Sequence, residues 1–361
     1  MDEEARARHE RVMELFDDLC DLGADARGIE MALLRDGDPQ LAAEVESLLR
    51  HDTPANALGC ADRLAALALA EDGSADRGGA HLARLAPKRL VGALVGGRYR
   101  IEAWIGGGGF GHVYRARDGE RVVAIKLLRA DTTNSRAEKR FRREYLAVSR
   151  LDHPGCVRVL AEGLHDGTRY IVMEYVAGGD LGRLAGAPVR AILPVLERLC
   201  DALEYVHRSG IVHRDLKPAN VLLEASPAGG VPQPRLADFG IALLLDEAIS
   251  ALSSQGKLVG TLDYVSPEQV MGHAADPRSD LYSLGCMLHE LLTGRLPFEG
   301  TVFERLTARV EGAAVPQVLA ARSDVPPGLL ALMGRLLARA PGDRPASANE
   351  VREALVALAR G

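Results

Sequence analysis

His213-Arg214-Asp215-Leu216-Lys217-Pro218-Ala219-Asn220 is the stretch on which the reading of this chain turns. It sets a carboxylate between two cations and closes on an amide, while Pro218 interrupts regular backbone hydrogen bonding. Working outward, Asp238-Phe239-Gly240 follows behind the apolar Leu236. Between the two motifs lies Ala225–Pro234 (ASPAGGVPQP), a turn-forming segment that predicts a surface loop.

Upstream, Ile105-Gly106-Gly107-Gly108-Gly109-Phe110-Gly111-His112-Val113 places glycines where a backbone can approach phosphate oxygens and offer its N–H groups. The same G-x-G-x-x-G spacing occurs in dinucleotide-binding turns, which open a helix. Here Val113-Tyr114 continues as a second strand, so the segment predicts a hairpin folded over a ligand. The next strand carries Val123-Ala124-Ile125-Lys126, an ammonium at the end of an apolar run. A carboxylate on the following charged helix would hold it, Glu138 and Glu144 being the candidates. Glu144 is preferred because Phe141, Tyr145 and Val148 give that helix an inward face.

Taken together, these motifs resemble the eukaryotic-type protein kinase superfamily, in its bacterial branch, with H-R-D-x-x-x-x-N at 213–220 as the most specific match. The resemblance covers about residues 97–359 and implies an α+β, two-lobed protein kinase fold, with a small β-rich lobe before a large helical one. It implies ATP with Mg2+, or Mn2+ in its place, as cofactors, and serine or threonine hydroxyls of proteins as acceptors. Asp215 would take the hydroxyl proton and Lys217 would neutralise charge on the transferring phosphoryl group. Asn220 and Asp238 would hold metal, and Lys126 with Glu144 would orient the triphosphate. Met173-Glu174-Tyr175-Val176 falls at the expected hinge, where the Glu174 carbonyl and the Val176 N–H would read adenine, with Val113, Ala124 and Leu222 sandwiching the ring. The interval from Asp215 to Asp238 is long for the family, and the 225–234 insert accounts for it as an extended hairpin.

Val265-Ser266-Pro267-Glu268 stands in the place of the family's A-P-E, the serine being read as a neutral replacement. Glu268 is expected to pair with Arg344, and Asp280 to support the catalytic-loop backbone. Arg214 beside Asp215 implies control by a phosphate on the activation segment, with Ser253 or Ser254 as the autophosphorylation site among Ser250, Ser253, Ser254 and Thr261. Thr261 is expected to order the catalytic loop through its hydroxyl.

Outside this region, residues 1–51 predict a small helical N-terminal region. Val12, Leu15, Phe16, Leu19 and Leu22 recur at helical spacing, and Asp38-Pro39 reads as an N-cap before a helix faced by Leu41, Val45, Leu48 and Leu49. Residues 52–96 read as an Ala/Gly-rich linker. The N-terminal helices are open among substrate docking, self-association and packing on the small lobe. No attached sensor domain is expected after the core.

The net charge of −6 argues against a nucleic-acid binder held by phosphate contacts. No apolar run is long enough to predict a membrane span, and the acidic start lacks a secretory profile, so a cytoplasmic protein is expected. The five scattered cysteines form no C-x-x-C pair, which argues against a disulfide framework or zinc site. Two rival readings are a catalytically silent scaffold and a phosphotransferase of small molecules. The first usually lacks a residue such as Lys126, Asp215 or Asp238, all present here; the second lacks an activation segment ending in Pro-Glu.

Overall fold

The computed structural model describes Met31, Leu34, Arg35, Asp38, Leu41, Ala42 and residues 87–108, 111–128, 145–226, 230–239, 262–312 and 322–360. The chain divides into two compact units, Met1–Gly59 and Cys60–Gly361. In the first, the Asp38 N–H donates to the Leu34 carbonyl (2.9 Å), and Asp38 Oδ1 accepts from the Leu41 N–H (3.0 Å). Asp38 therefore closes one helical turn and caps the next, the role its place before Pro39 predicts. The remaining N-terminal residues read as helical lie outside the described residues.

The second unit opens with a six-stranded antiparallel sheet. Its strands are β1 (Leu94–Val95), β2 (Tyr99–Gly108), β3 (Gly111–Asp118), β4 (Arg121–Leu128), β5 (Val159–His165) and β6 (Thr168–Glu174), in the order β1-β2-β3-β4-β6-β5. Alternation decides which side chains face inward: along β3, Tyr114 and Ala116 are buried between half-buried neighbours. With Val95, Ile101, Val123, Ile125 and Val172 they form the core of the small lobe. The sheet starts earlier than the residue-96 end of the expected linker. Leu90, on a turn of 3-10 helix (Pro87–Leu90), and Val95 are both buried in this core.

The large lobe is built from helices α1 (Val189–Arg208), α2 (Pro267–Val270), α3 (Pro277–Thr293), α4 (Val302–Glu311), α5 (Pro327–Leu336) and α6 (Ala348–Arg360), with a two-stranded hairpin of β7 (Val221–Glu224) and β8 (Gln233–Leu236). Ile192, Leu196, Leu199, Leu203 and Val206 line the inward face of α1 at helical spacing. Helix α3 is buried almost all round, from Ser279 to Leu292. It starts under Asp276, which accepts from the Arg278 N–H (2.7 Å), with Pro277 in the first turn, and it stops at Gly294, whose φ of 71° suits glycine. Each fully buried Leu of this core contributes about 1.5–3 kcal/mol relative to exposure. The insert connects β7 to β8 as a hairpin, but the surface loop expected over 225–234 is shorter: Gln233 and the buried Pro234 pair with Glu224 and Leu223 as part of β8. Among the described residues, no helix is long and apolar enough to cross a membrane.

Candidate active site

The sheet and the helical lobe meet over a cleft of about 520 Å³. Its roof is the β2–β3 hairpin, where Gly106 pairs with Val113, Gly107 with His112 and Gly108 with Gly111. Gly111 has a φ of 151°, and a Cβ there would run into the Leu127 carbonyl, so glycine is required by both conformation and contact. A Cβ on Gly106 would meet nothing, because that position faces open space in the cleft. Gly109 and Phe110 lie outside the described residues; Ile105 lines the cleft.

An apolar layer crosses the back of the cleft. Ala124 and Met173 from the sheet pack with Ala237, and Val113, Val176 and Leu222 lie against them, bringing together both lobes' expected adenine contacts. The Glu174 backbone N–H donates to the Arg158 carbonyl (3.0 Å). Its carboxylate accepts from the Arg158 N–H (3.0 Å) and from Arg235 (2.7 Å), which fixes the start of the hinge.

Lys126, only 5% exposed, projects from β4 against Asp238, with Nζ 2.9 Å from Oδ2. Burial pushes the Asp238 carboxyl up, but the Lys126 charge and hydrogen bond outweigh it and hold the group below the usual carboxylate range. Glu144 and Glu138, the expected partners of Lys126, lie outside the described residues. Asp238 occupies a left-handed backbone conformation (φ 57°) at a non-glycine residue, which costs about 1–3 kcal/mol and persists only where surrounding structure enforces it. The enforcement is visible: the Val157 N–H donates to the Leu236 carbonyl (2.8 Å), the Ala237 N–H donates to the Asn220 carbonyl (2.9 Å), and Phe239 packs on the His213 ring at 5.1 Å.

On the floor, the loop ahead of β7 turns sharply at Arg214 (φ 64°), where the Asp215 N–H donates back to the His213 carbonyl (2.9 Å). Asp280, on α3, anchors that turn by accepting from the His213 and Arg214 N–H groups, both at 2.8 Å, and its Oδ2 lies 2.8 Å from His207 Nε2. Burial raises the Asp280 carboxyl, while the His207 hydrogen bond and the other partners bring it below the normal range, so it stays an anion acceptor. Lys217 Nζ sits 3.0 and 2.8 Å from the two Asp215 carboxylate oxygens, and Asn220 Nδ2 donates to Asp215 Oδ2 (2.9 Å) and to its carbonyl (2.7 Å). With its amide nitrogen so engaged, Asn220 keeps its side-chain oxygen for another partner.

The cleft thus brings together Ile105, Gly106, Gly107, Gly111, Val113, Ala124, Lys126, Glu174, Val176, Asp215, Lys217, Asn220, Leu222 and Asp238. Glu268 and Arg344 pair through both carboxylate oxygens at 2.7 and 2.8 Å, as expected. Residues 240–261, with Gly240 and the candidate phosphorylation sites Ser250, Ser253, Ser254 and Thr261, lie outside the described residues. Sequence reasoning missed Asp180, which lines the cleft beyond the hinge and caps a short turn by accepting from the Gly182 N–H (2.9 Å). An Asp after Gly178-Gly179 is a turn signal that could have marked it. It also missed Arg235, for which the sequence carries no signal. Ser266 has partners of its own, contrary to its reading as neutral: its hydroxyl donates to Gln269 Oε1 at 2.9 Å.

Comparison with known proteins bears on the same region. The protein kinase domain family model matches residues 99–356. Serine/threonine-protein kinase pkn3 of Myxococcus xanthus is 40% identical over 285 residues, spanning 74% of this chain and 51% of the relative. Serine/threonine-protein kinase PrkC of Bacillus subtilis is 37% identical over 269 residues, spanning 73% of this chain and 40% of the relative. The chain therefore spans about half or less of the length of these two curated relatives. The crystal structure of the Mycobacterium tuberculosis PknI kinase domain superposes with a TM-score of 0.57 at 29% identity, over 74% of this chain and 98% of that one. A hairpin-roofed cleft, an ordered Asp-Lys-Asn floor and a family match across nearly the whole of both lobes agree: the chain belongs to the protein kinase family.

Proposed function

We propose that this chain is an ATP-dependent protein serine/threonine kinase whose catalytic machinery lies in residues 97–359, preceded by a helical region at 1–51 and a linker whose last residues join the sheet. The single observation that carries the reading is the Asp215 carboxylate, held by Lys217 and Asn220 across the cleft from Lys126 and Asp238. Asp215 would accept the proton of a serine or threonine hydroxyl and aim its oxygen. Lys217, already beside that carboxylate, would balance charge on the transferring phosphoryl group. Lys126 would hold the α- and β-phosphates, assisted by Glu144, under the glycine hairpin formed by residues 105–113. The Glu174 carbonyl and Val176 N–H would orient adenine. Positioning and charge stabilisation supply most of the rate in such transfers.

The donor set fits Mg2+, and Mn2+ as a substitute: Asp238 is kept ionised, and among the described residues no hydrogen bond engages the Asn220 side-chain oxygen, so the protein offers few hard oxygen ligands. When bound, the metal neutralises phosphate charge. Such a sparse site suits a cation that shares its shell with phosphate and water; among the described residues no cluster of three or more His, Cys, Asp or Glu could hold a metal alone. Protein substrates, autophosphorylation at Ser253 or Ser254 and a cytoplasmic setting, where ATP is plentiful, complete the proposal.

The test is transfer of labelled γ-phosphate from Mg-ATP to the purified chain and to a generic basic protein, with Asp215→Asn alongside. Label on serine or threonine should fall about 10²–10⁴-fold in the variant. Nucleotide binding without transfer by the unaltered chain would point to an enzyme awaiting an activator or to a scaffold. Absence of nucleotide binding would refute the reading of the hairpin and Lys126.

A further inference from the structure

We propose that Gln269, set by Ser266, is a positioning residue that ties the end of the activation segment to the loop carrying Asp215. This rests on the kinase reading above and adds a residue to that site. Ser266 is fully buried, and both its backbone N–H (3.3 Å) and its hydroxyl (2.9 Å) donate to Gln269 Oε1. The Ser266 backbone N–H can only donate, so the end of the side-chain amide it faces is the oxygen, to which the hydroxyl also donates, and the other end is the NH2 group. That nitrogen reaches the Arg214 carbonyl at 3.1 Å. The Ser266 hydroxyl, which an alanine would lack, therefore reinforces a direction that the backbone N–H sets.

The consequence lies in the peptide that Gln269 holds. Arg214 occupies the left-handed region (φ 64°), and its carbonyl belongs to the peptide group whose N–H is that of Asp215. Asp280 grips this turn through the N–H groups of His213 and Arg214. Among the described residues, the hydrogen bond recorded on the Arg214 carbonyl is the one from Gln269. The turn is thus clamped from two sides, by α3 below and by α2 beside it. Losing the second clamp frees the peptide that aims the Asp215 side chain, and a small misplacement of a catalytic group has a large effect on rate. Helix α2 begins at Pro267, directly after Ser266, so the amide of Gln269 links the start of this helix to the loop that carries Asp215.

Gln269→Glu separates this role from simple helix capping. The carboxylate still accepts from Ser266 but has no N–H to offer Arg214. Three measurements decide the matter: kcat and KM for ATP at saturating substrate, thermal unfolding, and hydrogen exchange at the Arg214 and Asp215 amides. The expected result is a kcat lowered about tenfold, the effect of one lost hydrogen bond on a positioned group. KM for ATP should stay near that of the unaltered chain and the unfolding temperature should fall by only a few degrees, the cost of one hydrogen bond, with faster exchange at the two amides. Ser266→Ala should lower kcat by a smaller factor and add little in combination with Gln269→Glu, since both break one relay. Unchanged kcat in Gln269→Glu, or a fall in unfolding temperature with kcat intact, would overturn the positioning role. If the unaltered chain transfers no phosphate, the kinase reading fails separately, and exchange alone decides: unchanged protection at Arg214 and Asp215 in the variant overturns the clamp, and loss of protection supports it.

Discussion

Replacing Arg344 by methionine should destabilise the large lobe by about 3–5 kcal/mol at neutral pH, the cost of stripping one partner from a buried ion pair. The size follows from how completely the guanidinium is used. Its Nη1 and Nη2 donate to the two Glu268 oxygens at 2.7 and 2.8 Å. Its other N–H groups donate to the carbonyls of Ala338 (2.8 Å), Arg278 (2.9 Å) and Arg339 (2.9 Å), so all five donors are satisfied. The side chain is inaccessible to solvent, and its planar face lies 4.9 Å from the Tyr282 ring centre. Methionine fills much of the space but leaves three carbonyls without their donor and a buried carboxylate with the Ser279 hydroxyl (2.7 Å) and a backbone N–H in place of its cation.

The pH dependence provides a second, sharper check. In the intact protein, burial pushes the Glu268 carboxyl up, but the Arg344 and Ser279 hydrogen bonds bring it below the ordinary range. Its contribution is therefore fully present above the unfolded carboxyl pKa and is lost only as pH falls through the lowered folded value. Without Arg344, burial prevails and the folded pKa rises above the unfolded one, so the variant gains relative stability as the carboxyl protonates. The gap between the two proteins should narrow from pH 7 to pH 5. Urea unfolding followed by far-UV circular dichroism measures it, since Trp104, the single tryptophan, lies on β2 in the small lobe. A gap below about 1 kcal/mol at pH 7, or one that does not change with pH, would refute the argument.

Two further perturbations test the cleft. Asp238→Asn removes the carboxylate proposed to hold Mg2+, so ATP affinity measured by calorimetry should fall at least about tenfold with Mg2+ present and not fall without it, where Lys126 loses its internal partner; equal affinities in Mg2+ would exclude Asp238 as a metal ligand. Gly111→Ala should lower stability by about 1–3 kcal/mol, because it combines a φ of 151° with a collision at the Leu127 carbonyl. Gly106→Ala, whose new Cβ would enter open cleft, should leave the unfolding temperature nearly unchanged while weakening nucleotide binding, and matched losses of stability at both glycines would contradict the hairpin assignment.

How much of this was legible beforehand depends on whether a residue acts through local pattern or through distant contact. The sequence by itself determined the order of the two lobes and the motifs at 105–113, 123–126, 213–220 and 238–240, because glycine spacing, strand alternation and the polar loop are written within a few consecutive residues. It also marked Asp38 as a cap and a hairpin connection after Glu224, both decided by backbone preferences close in sequence, though not that Gln233 and Pro234 already belong to β8. Only the tertiary structure decided that Lys126 meets Asp238, that Arg235 reaches Glu174 from β8, and that Leu90 and Val95 belong to the small lobe's core. Ser266 shows the difference most clearly. Beside alanine at the same place in a motif it looks interchangeable, and its partner Gln269 is only three residues on. The acceptor that gives the pair meaning, the Arg214 carbonyl, lies 55 residues away from Gln269 and is brought close by the packing of the lobe. A side-chain amide has no preferred direction until its surroundings supply a donor at one end and an acceptor at the other, and those surroundings exist only in the folded chain.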